Sequence, residues 1–191
     1  MKHEYKGLTI KIEQDQDCAS PREWDNFGTL NCFHRDYNLG EKHSFGSPEE
    51  LEAHIKETKA IALPVFAYEH GGITLSTGSF GCLWDSGQVG MIFATRDQIL
   101  KEYSVKRITP AIREKAIALL EGEVKIYASY LEGNCYGYTV LSPTGDHIDS
   151  CWGFIDSEKY MIEEAKASGD MWLKDNAEGV AFAERYGMAT A

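Results

Sequence analysis

The spacing of apolar residues predicts a series of short strands. Between residues 7 and 15, Leu8, Ile10 and Ile12 alternate with polar residues, as in a strand with one buried face. Two further apolar runs flank His70-Gly71-Gly72, and glycine readily adopts the positive φ of a tight hairpin turn. More apolar strands are predicted at residues 88–95, 135–142 and 147–154.

Proline after a capping residue marks the predicted helix starts. Ser47-Pro48 opens a helix that reaches about residue 58, and Thr109-Pro110 opens the clearest helix in the chain. The second helix has apolar residues at steps of three to five positions, and Gly122 and Gly133 are the positions that could interrupt and end it. Shorter helices are predicted at residues 96–103 and 157–168, with a last helix in the tail from residue 170.

The order of these elements favours an α+β fold with an antiparallel sheet built from hairpins and several flanking helices. Regular strand–helix–strand alternation, the pattern of a doubly wound parallel fold, is missing from the sequence. A length of 191 residues suits one principal domain. We expect an α+β core domain over residues 1–155, and a C-terminal helical extension over residues 156–191 that packs on this core.

Acidic residues outnumber basic ones, and this bears on the kind of partner. The chain has 30 Asp and Glu against 19 Lys and Arg, a net charge of −11 at pH 7. Direct nucleic-acid binding is not expected, because such proteins usually have a basic face and the sequence has no Lys/Arg cluster. The partner that acidic patches attract is a protein with a basic surface, although such a charge also serves solubility alone.

The cysteines and the N-terminal segment predict a cytoplasmic protein with reduced thiols. Five cysteines, an odd number without regular spacing, do not match a disulfide framework. The first 15 residues contain no apolar stretch of signal-peptide length, and no segment is long and apolar enough to span a membrane. We therefore expect the cytoplasm of a bacterial host cell, where thiols stay reduced.

No established catalytic or phosphate-binding motif is present, so we predict no catalytic residue, metal ligand or cofactor. The segment from Asp15 begins like a calcium loop but lacks the required glycine and glutamate. A looser hard-cation site that uses Asp15, Asp17 or Asp25 stays open as an alternative.

Two cysteines offer further alternatives to a purely structural role. Cys32 and His34 would point the same way on an extended strand and could supply half of a zinc site. Cys82 could act as a nucleophile only if the fold placed His70 beside it. A buried structural cysteine is the competing interpretation for Cys32.

Two tryptophan–aspartate dipeptides lie in irregular segments, Trp24-Asp25 in SPREWDN and Trp84-Asp85 in CLWDSGQVG. In one interpretation each ring is buried and each aspartate bonds nearby backbone, so that the dipeptide pins a loop to the sheet. In the other, both loops and the segment DSCWGF form one partner-binding surface with aromatic anchors. The candidate partner-binding residues are Trp24, Asp25, Asn26, Trp84, Asp85, Gln88, Asp149 and Trp152.

The chain resembles an uncharacterised family of small proteins from bacteriophages and other mobile elements. Three segments carry the resemblance: SPREWDNFGTLNCFHRDYNLGEKH, HGGITLSTGSFGCLWDSGQVG and DSCWGF. It extends from about Ile10 to Phe154, and at the hairpin turn Glu69 stands where the family pattern has an aspartate. The resemblance implies an accessory protein of a phage or mobile element and brings no assigned activity.

Together these observations favour a counter-defence protein that acts by binding. The expected target is a bacterial defence nuclease, inhibited in the manner of an anti-CRISPR or antirestriction protein, because an acidic surface can occupy a basic groove. Two alternatives stay open. One is a small Cys/His- or metal-dependent hydrolase that uses the distinctive loops, and the other is a regulatory or structural accessory protein of a phage.

Overall fold

A computed structural model describes residues 1–82 and 84–177, and it confirms the α+β class. The strands are β1 (Lys2–Tyr5), β2 (Leu8–Gln14), β3 (Thr29–Cys32), β4 (Ile61–Glu69), β5 (Ile73–Ser76), β6 (Ser86–Ala94), β7 (Cys135–Leu141) and β8 (His147–Ile155). The helices are α1 (Pro48–Glu57), α2 (Arg96–Glu102), α3 (Pro110–Leu131) and α4 (Glu158–Asp175). None of the described helices is long and apolar enough to cross a membrane.

The strands form two antiparallel sheets of four strands each, whereas the sequence suggested a single sheet. One sheet has the order β1-β2-β7-β8, and the other has the order β3-β6-β4-β5. The predicted hairpins β4–β5 and β7–β8 are confirmed, and Gly71 in the first turn has a φ of 72°. Strands β1 and β3 were not predicted. Each has only four residues, and β3 pairs with β6, which lies far along the chain.

The contacts divide the chain into two compact units. Among the described residues, the split unit combines residues 1–19 with residues 133–177, and the inserted unit is Ser20–Glu132. The chain therefore leaves the split unit after β2 and returns to it at β7, and these two strands pair with each other. Helix α4 belongs to the split unit, and residues 178–191 of the predicted C-terminal extension lie outside the described residues.

In the split unit, α4 covers one face of its sheet. The alternation predicted for Leu8, Ile10 and Ile12 is confirmed, since all three side chains are buried on that face. They pack with Tyr138 and Val140 of β7, because Ile12 lies opposite Tyr138 and Ile10 opposite Val140 in the register. The helix contributes a stripe with helical spacing, formed by Met161 and Ala165.

Helix α4 runs through the position at which a break between two helices was predicted. Gly169 lies within it and is buried, and a Cβ atom at this position would come within 2.8 Å of Leu8 Cδ1. The glycine therefore serves close packing of the helix on β2 and does not end the helix. Asp170, on the next position, accepts hydrogen bonds from Lys6 Nζ at 2.7 Å and Tyr5 Oη at 3.0 Å.

In the inserted unit, α3 packs along the sheet and supplies much of the core. Thr109 caps it as predicted, because its hydroxyl accepts a hydrogen bond from Ile112 N at 3.3 Å and Pro110 follows. The helix continues without interruption through Gly122, so the predicted break is wrong. The buried residues of α3 in this core are Ala116, Leu120, Val124, Tyr127 and Ala128.

A disulfide joins Cys18 to Cys135, so the prediction that all cysteines are reduced is wrong for this pair. The disulfide could not be predicted from the sequence, because 117 positions separate the two cysteines and only the pairing of β2 with β7 brings them together. Of the other cysteines, Cys32 is buried, Cys82 is partly exposed and Cys151 is exposed, and all three are free thiols. The cytoplasmic location stays a prediction.

Candidate functional site

The first tryptophan–aspartate loop, residues 20–28, is fastened by a buried arginine. Ser20 caps the single 3₁₀ turn Pro21–Glu23 through a hydrogen bond from Arg22 N to its hydroxyl, at 3.2 Å. The Arg22 side chain is only 4% exposed, and its guanidinium lies between the carboxylates of Glu41 and Glu123. Its Nε is 3.1 Å from Glu41 Oε1, and its Nη1 is 3.0 Å from Glu123 Oε2.

Both carboxylates also hold the backbone that follows the loop. Glu123 Oε1 accepts hydrogen bonds from Phe27 N at 2.8 Å and from Gly28 N at 3.2 Å. Glu41 Oε2 accepts from Leu30 N at 2.7 Å, at the second residue of β3. A buried charge is costly unless it is paired and hydrogen-bonded, and this network satisfies both conditions. Its role is to fix the loop onto α3 and β3.

Trp24 does not bury its ring as the pinning interpretation required. The residue is 50% exposed, and Asp25 beside it is exposed. The turn is held instead by Asn26, whose Nδ2 donates to Pro21 O and Trp24 O, each at 2.9 Å. Asn26 thus holds the turn by donating to two carbonyl oxygens, whereas the sequence interpretation had an aspartate bond nearby backbone. Arg22 supplies the anchor that the same interpretation assigned to tryptophan.

The second tryptophan–aspartate loop, residues 81–85, presents its tryptophan to solvent. Trp84 is 96% exposed, so the pinning interpretation is wrong here as well. The loop is nevertheless tied down at both ends, because the Ser86 hydroxyl donates to Cys82 O and Glu69 N donates to Asp85 O at 2.8 Å. The indole is therefore held out on a short loop that is fixed to the end of the β4–β5 hairpin.

The Asp85 carboxylate lies close to Cys82 and His70, the two residues of the nucleophile hypothesis. Its Oδ2 is 3.7 Å from Cys82 Sγ and 3.6 Å from His70 Nδ1. The carboxylate thus lies between thiol and imidazole. Nucleophilic catalysis by a thiol requires the imidazole itself within hydrogen-bond reach of the sulfur, with the acid behind it. The cluster has the residue types of a Cys–His–Asp triad, but here the aspartate, and not the histidine, is the central residue.

A second histidine–carboxylate pair lies next to this cluster. His34 Nε2 is 2.9 Å from Glu69 Oε1, and the His34 side chain is only 9% exposed. Its Nδ1 accepts hydrogen bonds from Asp36 N and Tyr37 N, both at 3.2 Å, so in the neutral ring Nε2 carries the proton and donates to Glu69. His34 is committed to this pair and does not join Cys32, which is buried in the core.

Six of the eight candidate partner-binding residues belong to the inserted unit, where they lie on two loops and on β6. In the register of β3 with β6, Thr29 faces Phe93, so the first loop enters β3 at the C-terminal end of β6, whereas Trp84 precedes the first residue of β6, Ser86. A nine-residue strand spans about 26 Å at a rise of about 3.3 Å per residue. The two loops therefore lie at opposite ends of β6, and Gln88 is exposed on this strand between them.

Asp149 and Trp152 lie on β8, in the split unit. Asp149 Oδ2 accepts hydrogen bonds from Ser168 Oγ at 2.5 Å and Tyr138 Oη at 3.5 Å, which ties β8 to α4 and β7. Trp152 is 46% exposed and lies across Gly137, where a Cβ atom would come within 2.2 Å of the indole ring. Each residue thus has a structural contact, and the partner-binding role of the whole set stays a prediction.

No group of potential metal ligands within the described ranges contains more than one of the three aspartates of the hard-cation hypothesis. Within the described ranges, one group has potential ligand atoms within 4.8 Å of one another, formed by Asp15, Cys18 and Cys135. The two sulfur atoms of that group form the disulfide, and the thiolate is the form of cysteine that binds metal. Asp15 Oδ1 accepts a hydrogen bond from Asp17 N at 3.0 Å, and Asp25 belongs to the inserted unit.

Comparisons with protein-family models, curated proteins and solved structures give no match to the chain.

Proposed function

We propose that the protein acts by binding a basic surface of a protein partner, and that the loop 81–85 is the anchor of this interface. The exposure of Trp84, at 96%, is the observation that carries the proposal. An indole with this exposure contributes little to the packing of the described residues. Tryptophan is among the residues most enriched at the energetic centres of interfaces, where it enters a pocket of the partner.

The charges beside Trp84 indicate the chemistry of the partner. The carboxylates of Asp85 and Glu69 are 42% and 46% exposed, and a hydrogen bond of 2.8 Å joins the backbones of the two residues. An arginine of the partner could stack on the indole face and bond one of these carboxylates at the same time. The overall charge of −11 favours the approach of a basic surface from a longer distance.

The specific form of this proposal is a counter-defence protein of a phage or mobile element. Its target would be a bacterial restriction or CRISPR nuclease, whose basic DNA-binding groove the acidic protein occupies without modifying the enzyme. Three observations support this form: the acidic charge balance, the absence of catalytic motifs from the sequence, and the resemblance to a family of small proteins from phages and mobile elements.

The test is a titration of the protein against a panel of purified defence nucleases, followed by mass spectrometry of each target. We expect inhibition at near-stoichiometric ratios, an unchanged target mass, and weaker association as salt rises, because screening acts beyond about 8 Å at physiological ionic strength. Trp84→Ala should weaken binding by about 30-fold, the loss typical of an interface hot spot. Trp24→Ala, at the other end of β6, is the matched control and should leave binding unchanged.

The hydrolase alternative is favoured by one observation, the meeting of Cys82 and His70 at Asp85 Oδ2. The same titration separates the two functions. Inhibition at strongly substoichiometric ratios, lost in a folded Cys82→Ala variant, would replace the binding proposal with an enzyme. Equal binding by Trp84→Ala and wild type would remove the loop 81–85 as the anchor, and no binding to any nuclease of the panel would refute the counter-defence form.

A further inference from the structure

A groove of about 640 Å³ lies on the inserted unit, on the face of the sheet opposite α3. On β3, Leu30 and Cys32 point into the core, so Asn31 between them points to the other face. Phe93 of β6 lies on this same face, because it pairs with Thr29 in the register. Helix α1 and the segment before it complete the walls, which include Asn31, Lys42, His43, Phe45, His54 and Phe93.

Four of these residues form a continuous row of rings. The centroids of His43 and Phe45 are 5.8 Å apart, those of Phe45 and His54 are 5.3 Å apart, and those of His54 and Phe93 are 5.9 Å apart. These spacings are typical of interacting aromatic pairs. The row therefore offers ring faces and edges along one wall, a surface on which a planar ligand can stack.

Polar groups with no partner lie among the rings. Asn31 is only 3% exposed, and its side-chain amide makes no hydrogen bond within residues 1–82 and 84–177. His43 Nε2 donates to Cys32 O at 2.9 Å, because a carbonyl oxygen accepts, and this leaves Nδ1 of the neutral ring as an acceptor. That Nδ1 is buried and has no hydrogen-bond partner among the described residues. Buried polar groups are nearly always satisfied, so this unpaired Nδ1 beside the groove indicates a ligand that can donate a hydrogen bond.

The groove also contains a cation without an ion pair. Lys42 lines it and is exposed, and no carboxylate lies within salt-bridge distance of its Nζ in the part of the chain that the structure describes. A free ammonium at the rim of a ring-lined groove favours a ligand with one negative group. The groove thus offers three kinds of contact to a ligand: stacking on the row of rings, hydrogen bonds to the Asn31 amide, and a charge interaction with Lys42.

We propose that this groove binds a planar heteroaromatic molecule with one anionic group, the chemistry of a mononucleotide. The base would stack on the row His43–Phe45–His54, its edge would bond the Asn31 amide, and the phosphate would meet Lys42. The volume of about 640 Å³ is within the range of small-molecule sites. The groove lies near the C-terminal end of β6, and Trp84 precedes the other end, so the site is independent of the proposed interface.

The experiment is isothermal titration of the full chain with AMP, GMP, CMP and UMP, and with the corresponding uncharged nucleosides. We expect saturable binding of at least one mononucleotide. Lys42→Gln should weaken it by up to about fivefold, the effect of an exposed ion pair, and should leave nucleoside binding unchanged. Phe45→Ala should weaken nucleotide and nucleoside alike by about tenfold, because both lose the stacking surface.

Two matched variants control for general effects of these substitutions. Lys115→Gln removes an exposed lysine of α3, and Phe80→Ala removes a partly exposed ring on a different loop. Both should bind like wild type. Binding of no mononucleotide at millimolar concentration would refute the proposal, as would equal weakening by a groove variant and its control. Asn31→Asp tests the site without removing volume, and a folded Asn31→Asp variant that binds as well as wild type would also count against it.

Discussion

Residues 20–28 and residues 81–85 each contain a Trp-Asp dipeptide, and the fold uses the two loops differently. The first loop surrounds the guanidinium of Arg22, which is 4% exposed and bonded to two carboxylates. The second has no buried charge, and its anchors are the Ser86 hydroxyl and the Glu69 backbone amide, while Trp84 is left 96% exposed. The comparison shows that the dipeptide itself determines neither burial nor anchoring. The residues around it do.

Loss of the Arg22 guanidinium should have the largest effect. In Arg22→Ala, the side chains of Glu41 and Glu123 would be left in a partly buried site without their cation, and breaking such pairs costs about 3–5 kcal/mol. Chemical denaturation should therefore show a markedly lower free energy of unfolding. The control is Arg35→Ala, because the Arg35 side chain is 90% exposed and its loss should leave the free energy of unfolding close to that of wild type. A stable Arg22→Ala variant would mean that the first loop is no better anchored than the second.

Trp24→Ala should have an intermediate effect. A fully buried tryptophan costs about 3–5 kcal/mol when truncated, and because Trp24 is 50% exposed we expect about 1–2 kcal/mol. The measurement is again the free energy of unfolding. A loss above about 3 kcal/mol would restore the interpretation in which this ring pins the loop.

Cys32, on the strand that follows the first loop, provides a pH-dependent test of its burial. Burial first, and then the nearby charge of Glu41, raise the pKa of Cys32 from 9.0 to about 12. Above pH 9 the unfolded chain loses this proton while the folded chain retains it, so stability falls as pH rises from 9 towards 12. Between pH 9 and pH 10, wild type should lose about 1 kcal/mol relative to Cys32→Ala. Equal pH profiles of the two proteins would contradict the burial of this thiol.

Trp84→Ala should have the smallest effect on folding. A side chain that is 96% exposed loses little by truncation, so we expect a change within about 0.5 kcal/mol. The emission spectrum of Trp84, isolated by comparison with the variant, should be that of an indole in water. A destabilisation above about 2 kcal/mol would place the ring in a contact and weaken the case for a partner surface.

Local signals allowed much of the fold to be predicted. Thr109-Pro110 marks the start of α3, and the alternation from Leu8 to Ile12 marks β2, because cap chemistry and side-chain periodicity are properties of neighbouring residues. The pairing of β3 with β6 is not such a property. Neither is the disulfide between Cys18 and Cys135, since in both cases the partners lie far apart along the chain.

The site was predicted less completely for the same reason. The tryptophan–aspartate loops were identified from their composition, but the exposure of Trp84 depends on which ring finds a pocket in the folded protein. Arg22 lies inside one of the quoted segments and was not singled out, because its partner Glu123 is on α3. The groove was not predicted, since β3, α1 and β6 supply Asn31, His54 and Phe93 separately.

Strands β2 and β7 pair with each other although residues 20–132 lie between them, so the split unit acts as a host into which the inserted unit, the guest, is placed. If residues 20–132 were replaced by a short turn, the host would read as four strands in sequence followed by one helix, a complete meander. The inserted unit begins and ends close to Cys18 and Cys135, whose Cα atoms are 6.5 Å apart. A segment inserted into the split unit therefore has to have its two ends close together. The disulfide links the two chain segments of the host at this point. A protease cut anywhere within the guest would leave both fragments covalently joined at its base.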